Sequence, residues 1–142
     1  VYVFELQGAT WVETAKLAPA SPQDWEFGSF FGGAVDVSGN TLVVGAPFLD
    51  TDISDSNRGA AFVFERIGSS WVQTQRLVSS DLGVGDVFGV SVAMSGDSIM
   101  VGASGHGHPP PPNMQGAVYV FQKSGAVWQE SQELTVSDPW IP

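Results

Sequence analysis

The residues best equipped for chemistry are the oxygens of "DTDISDSN", Asp50 to Asn57. Calcium takes six to eight oxygen ligands, and carboxylates two residues apart, such as Asp50 and Asp52, converge on one ion where the chain turns tightly. The same stretch also reads as an acidic surface turn whose Asp side chains hydrogen-bond their own backbone. A second polar set is His106 and His108 in "GHGHPPPPNMQ", Gly105 to Gln115. Imidazole suits zinc or copper. Two histidines alone make an incomplete site, however, and an exposed Gly/His loop is the plainer expectation. The four prolines that follow favour a stiff polyproline II segment, a docking strip or spacer.

Catalytic sets are missing. The chain has no cysteine and no G-x-S-x-G elbow, and both histidines share one loop. Paired carboxylates occur only in turns, without the apolar surroundings that would raise a pKa for acid–base work. The expectation is a protein that is not an enzyme. Asp81, Gly85 and Asp86 in "SDLGVGDVFG" make a second acidic turn ahead of Phe88. Trp25 and Trp140 lie in loops outside the repeat described next, which makes them candidates for an interface or a ligand.

The elements that must position these residues are repeated. "FGGAVDVSGNTLVVGAP" (Phe31 to Pro47) returns as "FGVSVAMSGDSIMVGAS" (Phe88 to Ser104), identical at eight of seventeen positions without a gap. A second segment occurs three times, as "VYVFELQGATWVETAKL" (1–17), "AFVFERIGSSWVQTQRL" (61–77) and "VYVFQKSGAVWQESQEL" (118–134). Each segment reads as a hairpin, with alternating strands around Gly39-Asn40, Gly96-Asp97, or Gly8, Gly68 and Gly125. Trp11, Trp71 and Trp128 follow those last glycines once per copy, so packing explains them better than sugar stacking. No stretch shows helical periodicity.

The reading is all-β: hairpins at 1–17, 31–47, 61–77, 88–104 and 118–134 form one repeat region over 1–142. Two hairpins per period are the content of a four-stranded β-propeller blade, and the chain holds about two and a half repeats. An elongated β-solenoid or a sandwich fits the same pattern. Gly32, Gly45, Gly89 and Gly102 are expected where backbones approach closely or bend.

"FG…VGAP", an acidic loop, and then "GA-(aromatic)-V-F" together resemble the FG-GAP repeat found in the propeller of integrin α subunits. The pattern is closer still to the FG-GAP repeats of secreted bacterial and algal proteins, where a "VYVF…W…KL" hairpin follows each "VGAP". The second copy departs by ending in Ser104 rather than Pro. The resemblance implies an extracellular or cell-surface, non-catalytic propeller that binds partners, and a calcium loop of the form D-x-D-x-D-G-x-x-D. Carried over by position, Asp50 and Asp52 match its first two ligands and Ser54 replaces the third. Asp55 stands where the family has Gly, able to ligate in a shifted register, and Arg58 replaces the final Asp. The loop from Gly105 to Gln115 has no carboxylate and cannot hold calcium in that manner.

Composition narrows the partners. A net charge of −10 repels phosphate backbones and anionic lipid, which disfavours nucleic acid and membrane surfaces. No apolar run approaches the ~18 residues of a membrane-spanning helix, and no N-x-Ser/Thr sequon occurs. Two and a half blades fall short of the roughly four that close a propeller. The start at "VYVFEL" lies inside a strand pattern, so the chain is expected to be a piece of something longer, or to assemble with other copies. The expected function is a protein–protein assembly or adhesion module, possible calcium included; the competing expectations are a carbohydrate- or peptide-binding propeller and an accessory domain of a larger secreted hydrolase.

Overall fold

The computed structural model describes residues 1–24, 28–50, 57–107 and 115–136. Among these residues ten strands follow one another: β1 (Tyr2–Gln7), β2 (Thr10–Lys16), β3 (Ala34–Ser38), β4 (Thr41–Ala46), β5 (Ala60–Ile67), β6 (Ser70–Leu77), β7 (Phe88–Ser95), β8 (Ser98–Ala103), β9 (Ala117–Ser124) and β10 (Val127–Leu134). They form a two-stranded β1–β2 sheet and two four-stranded antiparallel meanders, β3-β4-β5-β6 and β7-β8-β9-β10. Each meander is a propeller blade in content and order; the first is called blade one, the second blade two. The glycine turns follow the sequence pattern. Gly39 and Gly96 take φ of 59° and 55°, and Ser38 pairs with Thr41 as Ser95 pairs with Ser98.

Strands β4 and β5 are apolar on both sides because both of their faces are covered. Val43, Ala61 and Val63 join Ile99, Val101, Tyr119, Phe121 and Trp128 in a core between the blades. Their neighbours Leu42, Val44, Phe62 and Phe64 pack with Val1, Val3, Leu17 and Phe31 in a second core beneath β1–β2. Burying each Val, Leu or Phe contributes about 1.5–3 kcal/mol. In blade two the corresponding outer face is open among the described residues, with Met100 46% exposed and Val118 36% exposed.

The FG and GA dipeptides lie at the junction between blades. A Cβ added to Gly45 would stand 2.0 Å from the Gly89 carbonyl oxygen, and one on Gly89 would stand 2.3 Å from that of Ala60. Phe88, fully buried, donates its amide to the Arg58 carbonyl, and Gly59 bridges to Phe88 in parallel. Gly89 has φ of 91°, a conformation that L side chains rarely adopt. Gly102 and Gly32 lack such a backbone neighbour: added Cβ atoms there would meet the Ser91 hydroxyl and the Val1 side chain.

Side-chain clamps repeat from one unit to the next. Glu5 pairs with Arg66 at 3.1 Å, and Glu65 pairs with Lys123 at 2.7 Å. Gln73 accepts the Ala20 amide as Glu130 accepts that of Ser80. The three repeated tryptophans diverge with their surroundings. Trp128 is buried between the blades and Trp71 packs against the β1–β2 core, whereas Trp11 is exposed.

Candidate functional site

Five titratable side chains meet at one end of blade two. Tyr119 on β9 pairs in register with Glu133 on β10, which sets phenol and carboxylate side by side. The turn ahead of β7 brings Asp81 and Asp86, and the turn after β8 brings His106, whose amide bonds the Ala103 carbonyl. The His106 side chain is only 20% exposed and Asp86 only 3%. The expectation of an exposed Gly/His loop therefore fails at His106. Its ring is drawn inward because it takes the place that Leu49 fills in blade one: Gly116 bonds the His106 carbonyl as Gly59 bonds that of Leu49.

The imidazole is bracketed by carboxylates. Nδ1 lies 3.1 Å from Asp86 Oδ2 and 3.1 Å from the Tyr119 hydroxyl. Nε2 lies 3.3 Å from Glu133 Oε1 and 4.0 Å from Asp81 Oδ2. The other Asp81 oxygen accepts hydrogen bonds from Ser79 Oγ at 2.8 Å and Tyr119 at 2.9 Å. Asp86 is anchored in turn by the Gly83 amide at 2.7 Å. Partial burial opposes ionisation of Asp81, but the bonds from Ser79 and Tyr119 and the charge of His106 outweigh it and hold the carboxyl below its ordinary range. Burial first, then the Asp81 carboxylate, push the Tyr119 phenol well above its usual value, so it remains a donor.

The matching end of blade one is built from different side chains. Phe62 and Arg76 occupy the paired positions of Tyr119 and Glu133. Arg76 forms a 3.4 Å ion pair with the buried Asp24, and Ser29 stands where blade two has Asp86, its carbonyl bonding Phe48 as that of Asp86 bonds Gly105. The cation of blade one is thus a strand guanidinium; blade two has a carboxylate there.

Of the residues singled out from the sequence, Asp52, Ser54, Asp55, His108, Trp25 and Trp140 lie outside the described residues. Asp50 accepts a hydrogen bond from the Asn57 amide, seven residues further on. His106 joins the cluster above instead of being read with His108. Tyr119 stands out in the sequence only as an aromatic residue marking a strand face, and Glu133 not at all. Comparing the two repeats at the positions of Leu49, Phe62 and Arg76 would have exposed them, since polar groups replace two apolar residues and a carboxylate replaces a cation.

An open groove lies on the outer face of blade two, about 420 Å³ in volume and lined by Val90, Gly102, Ala103, Gly116, Ala117 and Leu134 among others. Gly102, Ala103, Gly116 and Ala117 repeat Gly45, Ala46, Gly59 and Ala60, the residues that seat Phe88 and Gly89 on blade one. A family model described as FG-GAP repeat matches residues 11–64 and 71–121. No curated protein matches the chain.

Proposed function

For a chain that belongs to the FG-GAP repeat family, we propose the role of a non-catalytic, extracellular interaction module that assembles by seating a Phe–Gly strand of another such repeat on blade two. FG-GAP repeats form propeller modules typically involved in protein interactions. The carrying observation is the groove at Gly102 and Gly116, which repeats the socket already filled once within this chain by Phe88 and Gly89. Small residues there let a backbone approach closely, and the exposed Met100 and Val118 supply apolar area beside it. The occupant is a further repeat, whether from the same protein or a partner subunit. Such seating would serve assembly or adhesion at a cell surface, with calcium held by the loop that begins at Asp50 as a brace for the neighbouring chain. The test is sedimentation velocity of the chain across a concentration series, with calcium and with chelator. Concentration-dependent association, abolished by Gly102→Val in the socket, is the expected result. A monodisperse monomer at all concentrations, with the variant indistinguishable, overturns the assembly reading.

A further inference from the structure

We propose that Asp81, His106 and Glu133 form a binding site for a divalent first-row transition ion, with zinc as the probe. Their ligand atoms all lie within 4.8 Å of one another. Zinc bonds of ~2.0–2.1 Å in a tetrahedral arrangement place ligand atoms ~3.3 Å apart. Glu133 Oε1 already lies 3.3 Å from His106 Nε2, and Asp81 Oδ2, at 4.0 Å, has less than an ångström to close. Three protein ligands leave the fourth position for water.

Support behind the ligands has the form such sites require. Asp86, almost wholly buried and tied down by the Gly83 amide, accepts the Nδ1 hydrogen, so a metal that displaces the Nε2 proton meets a lone pair facing Asp81 and Glu133. Ser79 and Tyr119 hold one Asp81 oxygen, which aims the other at the imidazole. The second line of argument is the repeat itself. In blade one the acidic residue at this end, Asp24, faces the guanidinium of Arg76. Blade two replaces that guanidinium with Glu133, leaving three carboxylates around a single imidazole. A divalent ion there supplies the positive charge that blade one builds into its own strand. One imidazole among carboxylates suits zinc and its neighbours better than calcium, which takes oxygen. The site shares no residue with the Asp50 loop.

The test is isothermal titration of the metal-stripped full chain with zinc chloride, paired with melting temperature in zinc and in chelator. One zinc per chain and a zinc-dependent rise in melting temperature are expected. Glu133→Arg and His106→Leu, which install the blade-one residues, should fold and lose both effects; Glu133→Gln covers the case in which arginine is not accommodated. Asp86→Asn should weaken binding ~10–100-fold, while Asp50→Ala and His108→Ala leave it unchanged. Three outcomes overturn the proposal: no zinc uptake by the unaltered chain, uptake that survives His106→Leu and the Glu133 variants, or uptake lost on His108→Ala alone. Competition by calcium at equal concentration would overturn the choice of metal.

Discussion

Blades one and two share turns, register and junction chemistry, yet among the described residues one is covered on both faces and the other on one. Val43 and Met100 occupy the same position of β4 and β8, and the first is fully buried while the second is 46% exposed. The sequence of a strand thus fixes which way each side chain points, whereas burial depends on whether a neighbour arrives. Their ends differ in another way. Blade one neutralises its buried acid with Arg76; blade two gathers carboxylates around His106. The same backbone frame therefore carries two electrostatic solutions, selected by three or four side chains.

The largest effect that would break this comparison belongs to the junction glycines. Gly45→Val forces its side chain into the Gly89 carbonyl, a backbone group that cannot step aside, and should cost about 3 kcal/mol or more. Gly102→Val meets only the Ser91 hydroxyl, which can rotate, and should cost less than ~1 kcal/mol in the dilute chain. Urea denaturation of both variants decides the matter; equal losses would mean that the junction is not what these glycines serve. Val43→Ala should then lose about 2 kcal/mol, against less than ~0.5 kcal/mol for Met100→Ala. A larger loss for Met100→Ala at high protein concentration would show its face being covered by association.

The smallest effect concerns backbone conformation. Phe30 and Val87 precede the two Phe–Gly pairs with φ of 53° and 59°, a region costly for a β-branched residue and tolerated by Asn. Val87→Asn should gain about 1 kcal/mol. Phe30→Asn should gain nothing, because it also removes the edge-on contact of Phe30 with Phe48 at 5.2 Å. Thermal melts of the two variants test the contrast.

Much of the fold was legible because it rests on local rules. Glycine turns and the repeat itself mark the strands, whereas the alternation expected of β4 gives way to burial along nearly its whole length, because a neighbour covers each face. The cluster around His106 was not legible in the same way. Its members come from the turn before β7, the turn after β8, and β9 and β10, and only the cross-strand register brings Glu133 beside Tyr119. Spacing along the chain favoured His106 with His108; folding joins His106 to Asp81 and Asp86 instead. The acidic turn at Asp81 is legible as a turn, and Asp86 with the Gly83 amide ties it down, but its second role faces inward.

The clamps from Glu5 to Arg66 and from Glu65 to Lys123 carry a consequence beyond the contacts themselves. Each reaches only to the adjacent unit, so the molecule behaves as a short linear array with nearest-neighbour coupling. Ordering one unit raises the odds for the next, and opening should begin at the termini and run inward. Amide exchange would then be slowest in β4 and β5, the strands with a neighbour on each side, and would quicken toward β1 and β10.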